Sequence, residues 1–245
     1  MKSGIDDMIK FLASVFFPNR CIFCDELIDP FEDYCDACVQ SIPFIKGEIC
    51  KYCGAAKDDC GCKKRHSHYY ELIASPLYYE ADVKSCIHRF KFRGDRNLSK
   101  PLGKLMAGAV DERFGDIEID YVTYIPMFRK KERKRGFNQS RLLAREVAKL
   151  CEIPFADKML IKLYDTDNQH DCSRLERTGN LIGAFDVSKS FDITNKTVLL
   201  IDDIKTSGAT LNECGKMLYL NGANRVICLT AALRNSKIKK KEAQK

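Results

Sequence analysis

The side chains best placed to do chemistry are Asp202 and Asp203, which close the apolar run of VLLIDDIKTSGAT at residues 198–210. A buried parallel strand delivers its carboxyl end to the edge of the sheet, where ligands bind in open α/β folds. Two carboxylates there can accept hydrogen bonds from sugar hydroxyls. Lys205, Thr206, Ser207, Gly208, Ala209 and Thr210 follow as a loop of mostly small residues that opens a helix. Unpaired N–H groups and the helix dipole favour a phosphate at such a point, and Gly208 lets the backbone approach it closely. A strand ending in two acids also occurs at Mg²⁺ sites of nucleotide-hydrolysing proteins and at receiver-type sites. Here the loop that follows specifies the ligand more narrowly, and no Gly-rich loop ending in Lys-Ser or Lys-Thr marks a P-loop enzyme.

A second chemistry lies near the N-terminus. Eight of the thirteen cysteines fall in four close pairs: Cys21 and Cys24, Cys35 and Cys38, Cys50 and Cys53, Cys60 and Cys62. Two thiolates on a tight turn can share one side of a tetrahedral ion, and two such turns complete a four-cysteine zinc site. Sequential pairing gives two sites, with interleaved pairing or a single occupied site as alternatives and an iron–sulfur centre as the other metal reading. Closed four-cysteine zinc sites are structural, so the metal folds this region and does no chemistry. His66 and His68 lie just beyond the cluster and read as linker residues unless one replaces a cysteine.

Two polar segments complete the candidate site. In IPMFRKKERKRGFNQS, from Ile125 to Ser140, the residues Arg129, Lys130, Lys131, Arg133, Lys134 and Arg135 follow an apolar run and lead through Asn138 and Gln139 into a helix. That density of cations after a parallel strand suits a pyrophosphate, and a solvated or nucleic-acid-binding run is the other reading. The long polar stretch from Thr166 to Phe185 contains Gln169, Arg174 and Arg177. A loop of such length is uncommon in a compact domain unless functional, and it separates the two halves of the expected sheet as a candidate cover for the ligand.

The elements that must position these groups follow from periodicity. Helical spacing is found near Val83 to Phe92, Lys100 to Val110, Gln139 to Leu150 and Thr210 to Leu220. Strand-like apolar runs are found at Tyr121 to Ile125, Thr197 to Ile201 and Arg225 to Ala231. Strands alternating with helices imply an α/β fold, a parallel sheet with helices on both faces. The 245 residues divide into an amphipathic helix at 1–18, a cysteine-rich domain at 19–65, an α/β domain at 66–235 and a basic tail at 236–245. The cysteine-rich stretch has too little apolar pattern for an ordinary core and needs a metal staple. The net charge of +7 favours anionic partners. No apolar run approaches the roughly 20 residues of a membrane span, and Asp6 and Asp7 interrupt any signal sequence, so a cytoplasmic location is expected.

Residues 198–210 resemble the phosphoribosyl-pyrophosphate signature of type I phosphoribosyltransferases. Taken with the cysteine pairs, FKFRGD at 90–95, RGFNQS at 135–140 and the Thr166, Gln169, Arg177, Asn180 and GAF pattern to 185, nearly the whole chain resembles the ComF family of bacterial competence proteins. The resemblance implies a type I phosphoribosyltransferase fold preceded by a double zinc ribbon, with 5-phosphoribosyl-1-pyrophosphate (PRPP) and Mg²⁺ bound at the site. In that reading Asp202 and Asp203 hold the ribose and are the catalytic pair, Lys205 to Thr210 hold the 5′-phosphate, Arg129 to Arg135 attend the pyrophosphate, and Gln169, Arg174 and Arg177 belong to a flexible loop. Lys91, Arg93 and Asp95 would lie at the rim. Ser207 and Lys205 depart from the family pattern, which more often has threonine and an apolar or small residue there. The family further implies a role in handling single-stranded DNA during natural transformation, with single-stranded DNA and competence proteins such as the transformation helicase as partners. A DNA-binding adaptor with a sensory ligand site is the alternative to an enzyme.

Overall fold

The computed structural model describes residues 18–62, 68–165 and 183–234, together with Phe16 and Leu181. In chain order the described strands are β1 (Leu72–Ala74), β2 (Leu77–Tyr78), β3 (Tyr121–Tyr124), β4 (Leu160–Lys162), β5 (Phe185–Val187), β6 (Thr197–Lys205) and β7 (Arg225–Leu233). The α-helices among the same residues are α1 (Asp36–Ser41), α2 (Ala81–Phe92), α3 (Ser99–Phe114), α4 (Arg129–Arg135), α5 (Gln139–Leu150) and α6 (Ala209–Leu220). The amphipathic helix expected at 1–18, the loop residues Gln169, Arg174 and Arg177, His66 and the basic tail lie outside the described residues, apart from Phe16 and Pro18 at the end of that helix.

β6 and β7 read as apolar on both faces, and they form the centre of a sheet in the order β1, β7, β6, β3, with β2 extending β1 along β7. All of these pairings are parallel. Successive strand side chains point to opposite faces, and the two cores follow this alternation. Leu199 and Ile201 of β6 join Ile227 and Leu229 of β7 under α2, α3 and α5. Val198, Leu200, Val226 and Cys228 face α6 and the β4–β5 pair. Helix α5 shows how the sequence fixes its own seat: Leu143, Ala144, Val147 and Ala148 form one buried stripe, and Asn138 caps the N-terminus by accepting from the Arg141 amide at 3.3 Å.

The segment around Thr166 to Phe185 falls in the chain between β3 and β6 of the main sheet, and it directly joins β4 to β5, a separate antiparallel pair whose alternate residues are exposed, a pattern that a fully buried central strand would not show. One expectation is corrected here. The basic run at 129–135 is a helix rather than an open loop, because Arg, Lys and Glu are good helix formers. Gly136, at φ 86°, then ends it in the left-handed conformation.

The cysteine-rich region packs on the same core as the helices. Cys21, Ile22, Phe23, Cys38 and Ile42 are buried with Ile87, Phe90 and Leu102, and Phe44 forms an antiparallel bridge with Leu77. The segment after it is clamped against α6: the Tyr69 amide donates to Asn212 Oδ1 at 2.7 Å, and the Tyr69 carbonyl lies where a Cβ on Gly215 would have to be, 2.0 Å away. Gly215→Ala is therefore expected to cost about 2–3 kcal/mol through displaced backbone. By contrast, Gly108→Ala, in the exposed middle of α3 with nothing within 4 Å, should gain about 0.5–1 kcal/mol. Urea unfolding of both variants checks the pair, and equal effects would show that the clamp yields freely.

Candidate functional site

The site forms where β6 ends. Strand pairing fixes β6 against β3 as far as Ile201 and against β7 as far as Lys205, and the chain then turns through exposed Thr206 and Ser207 into α6. Gly208 makes that turn possible, with φ 80° at the N-cap position of α6, a conformation that costs a side-chain-bearing residue energy. The Ser207 hydroxyl accepts from the Ala209 amide at 3.3 Å, and Thr210 lies in the first turn of the helix. Residues 206–210 are thus a tight turn at a helix start.

Asp202 and Asp203 have different partners. Asp203, 8% exposed, meets Lys91 at the end of α2, with Nζ 2.8 Å from Oδ2. Asp202 Oδ1 accepts from Ser140 Oγ and from the Asp203 amide, each at 2.8 Å. Burial pushes the Asp202 carboxyl up to about 7, and repulsion from Asp203 adds to this, against the pull of Lys91 and the two hydrogen bonds. Lys91, expected at the rim, is therefore in direct contact with the acid pair.

The RGFNQS segment supplies the opposite wall, and each of its residues has a local reason. Gly136 closes α4, and buried Phe137 packs against Phe90 beneath the Arg96 guanidinium. Asn138 caps α5 and donates to the Ile125 carbonyl at 3.0 Å. Ser140 reaches Asp202. Arg135 Nη1 donates to Gln139 Oε1 at 2.8 Å, which fixes the orientation of that amide. Gln139 is 1% exposed, and its Nε2 has no acceptor among the described residues. A buried donor left unpaired costs roughly 1–3 kcal/mol, and such a group points to a ligand or a water.

Of the four basic residues expected to hold pyrophosphate, only Arg135 is partly buried, lying over the exposed ring of Phe92 with its guanidinium carbon 5.1 Å from the centroid. Arg129, Lys130 and Arg133 stand on the exposed surface of α4. Lys205 is 7% exposed and lies beneath Gly208, where its ammonium donates to the Cys53 carbonyl at 3.1 Å. The reason is its place at the end of a buried strand, where the stem is covered and the charge needs a buried acceptor. Sequence reading missed Gln139 and Ser140 as members of the site. The signal for them was their helix-start position beside the cations.

The eight cysteines form two groups, Cys21, Cys24, Cys35 and Cys38, then Cys50, Cys53, Cys60 and Cys62, with sulfur atoms in each group within 4.8 Å of one another. This is the sequential pairing. The Cys24–Cys35 and Cys53–Cys60 sulfurs are 3.7 Å apart, close to the edge of about 3.8 Å of a tetrahedron with zinc–sulfur bonds of about 2.3 Å. The donor set fits zinc. Burial raises the thiols, but amide donors outweigh it for Cys21 (Cys24, Cys35 and Phe23) and Cys50 (Cys53 and Tyr52), holding each down to about 7. His68 stacks on Tyr70, with ring centroids 4.7 Å apart, and belongs to neither group.

Comparison with known proteins adds the following. Residues 136–245 match the phosphoribosyl transferase domain, and residues 12–68 match the double zinc ribbon domain. The chain is 28% identical to competence protein F of Haemophilus influenzae over 86% of this chain and 95% of that protein. It is 29% identical to competence protein ComFC of Bacillus subtilis, over 89% and 92% respectively. To DNA utilization protein YhgH of Escherichia coli O157:H7 it is 25% identical, over 81% and 97%. Among the described residues no helix is long and apolar enough to cross a membrane.

The raised Asp202 value fixes a pH dependence. An unfolded aspartate titrates near 3.9, so between about pH 4 and 7 the folded chain holds the extra proton. The contribution to stability is complete below about pH 4 and is lost as pH rises through about 7. Asp202→Asn is expected to raise Tm at pH 8 and leave it near wild type at pH 4. A difference in Tm that does not vary with pH would contradict this assignment.

Proposed function

We propose, for a chain that resembles the ComFC-like proteins in joining a double zinc ribbon to a phosphoribosyltransferase domain, that it binds PRPP with Mg²⁺ and transfers the phosphoribosyl group. The observation that carries this reading is the Asp202–Asp203 pair at the end of β6, followed at once by the left-handed Gly208 turn into α6. Carboxylates that accept and a helix start that donates suit the two ends of a ribose 5-phosphate.

In this mechanism Asp202 and Asp203 accept hydrogen bonds from the ribose hydroxyls, and residues 206–210 hold the 5′-phosphate. Arg135 and the unpaired Nε2 of Gln139 face the pyrophosphate. The bond from ribose C1 to the pyrophosphate oxygen breaks, the electron pair leaves with the pyrophosphate, and the acceptor nucleophile forms a new bond to C1. Positive charge grows on the ribose ring, next to the carboxylate pair, and negative charge on the leaving group, next to the guanidinium. Mg²⁺, when bound with the donor, supplies charge neutralisation for the pyrophosphate. Lys91 offsets part of the charge on the acid pair before the donor enters. Gln169, Arg174 and Arg177, assigned to the same site from the sequence, lie outside the described residues.

A role in taking up or handling single-stranded DNA is supported by the names of the relatives, competence proteins and DNA utilization proteins. A second reading, a DNA-binding adaptor gated by the ligand, is favoured by the exposed cations Arg129, Lys130, Arg133 and Lys134 of α4 beside exposed Phe92. Aromatic rings and cations together form the usual surface for single strands. Competence partners such as the transformation helicase would meet the protein in either role.

Calorimetry of PRPP with Mg²⁺ tests the first reading. Saturable binding is expected in wild type, with at least about tenfold weaker binding in the Asp202→Asn, Asp203→Asn variant, as for loss of charged hydrogen bonds. Gln139→Leu should weaken PRPP more than ribose 5-phosphate, since it faces the group that only PRPP has. A folded wild-type protein that binds no PRPP, yet binds single-stranded DNA with a steep salt dependence, would replace the enzyme with the adaptor.

A further inference from the structure

The second cysteine turn presents its backbone to the phosphate loop. Three consecutive carbonyls of CKYC accept from the α/β domain: Lys51 from the Ile73 amide at 3.1 Å, Tyr52 from the Tyr70 hydroxyl at 3.3 Å and Cys53 from the Lys205 ammonium at 3.1 Å. Lys205 and Tyr70 are both buried, at 7% and 4% exposure. The same two side chains form the floor under Gly208. A Cβ added there would stand 3.2 Å from Lys205 Cε and 3.4 Å from the Tyr70 hydroxyl. A continuous path of contacts therefore runs from the sulfur turn, through two buried side chains, to the residue that sets the direction of the loop.

The path has two ends that each need fixing. A turn bearing Cys50 and Cys53 keeps its shape when its thiolates are held with those of Cys60 and Cys62. The exposed loop at Thr206 and Ser207 has no covering element of its own among the described residues, so its position rests on Gly208 and what lies beneath. The first cysteine turn is latched in the same way, by a different cation: Arg89 of α2 donates to the Ile22 carbonyl at 2.5 Å and to the Phe23 carbonyl at 3.4 Å.

We propose that the second four-cysteine site is a positioning element for the phosphate loop, with Lys205 and Tyr70 as the positioning residues that carry the shape of the metal-bound turn to Gly208. Its consequence for the donor rests on the function proposed above; the mechanical link does not. Metal binding at Cys50, Cys53, Cys60 and Cys62 and donor binding at the loop are then coupled, and the coupling is reciprocal. The chain's own residues make the link through hydrogen bonds to backbone carbonyls, so it needs no change in the metal's ligands.

The test uses the full-length, zinc-loaded protein and its Lys205→Met and Tyr70→Phe variants. Amide hydrogen exchange is read in the peptide covering 206–210, with β7 as an internal standard, and zinc release to a chromophoric chelator is timed with and without PRPP and Mg²⁺. In Lys205→Met we expect about tenfold faster exchange in the loop, unchanged protection in β7, two zinc ions retained and about tenfold weaker PRPP binding. In wild type PRPP should slow release from one of the two sites, and in Lys205→Met that slowing should vanish. If Lys205→Met loses protection in β7 as well, Tyr70→Phe, which removes only a hydroxyl, decides in its place. Wild-type exchange and wild-type PRPP affinity in the variant that decides would overturn the proposal and leave the donor site standing. Loop exchange that responds to the variants in a protein that binds no PRPP would uphold the positioning role and remove the donor reading.

Discussion

Two adjacent carboxylates at the end of a buried strand repel one another and lose hydration, and the surrounding structure is organised around that cost. Asp203 is held by Lys91 from α2, and Asp202 by Ser140 from the start of α5. These partners come from elements far apart in sequence, so α2, α5 and β6 must all be seated before the acids are tolerated. The buried stripes of α2 and α5 on the same face of the sheet do that seating. The Asp202 carboxyl remains raised even so, because burial and the neighbouring Asp203 outweigh Lys91 and the two hydrogen bonds.

The cysteine-rich region is part of this organisation. Many of its apolar residues belong to the main core, and two of its three CxxC turns, at Cys21–Cys24 and Cys50–Cys53, offer carbonyls to cations of the α/β domain, half-buried Arg89 on one side and buried Lys205 on the other. Arg89 lies two residues before Lys91, and Lys205 two residues after Asp203. Each turn is thereby tied to the chain within two residues of the acid pair and its counter-ion. A zinc ribbon fused at a distance would show none of these contacts.

Much of this was legible in the sequence because it depends on local pattern. The strand before Asp202, the helix stripe of α5 and the sulfur spacings each declare themselves within about a dozen residues, and the structure pairs the cysteines in sequential order. What could not be read was settled by distant contacts. The short strands β1 and β2 carry little periodicity and exist because β7 offers them a pairing edge. The direction of Lys205 depends on a carbonyl 152 residues away, and no spacing rule reports that. The basic run was read by its charge, while its helix former content, which decided its backbone, went unweighed. The contributions of Gln139 and Ser140 were hidden for the opposite reason, as neutral residues inside a motif dominated by cations.

The outer boundary of the sheet on the β1–β2 side is covered by the ribbon: Ile45 donates to the Pro76 carbonyl, Tyr78 to the Pro43 carbonyl, and Phe44 bridges Leu77. An uncovered strand edge offers unpaired amides and carbonyls to any other chain that presents a strand. The opposite boundary, β3, is covered by residues 154–156 of the same domain and does not depend on the cysteines. The cysteine-rich region thus acts as the edge partner of β1 and β2, closing the one side of the sheet that the α/β domain does not close for itself and shielding it from intermolecular strand pairing.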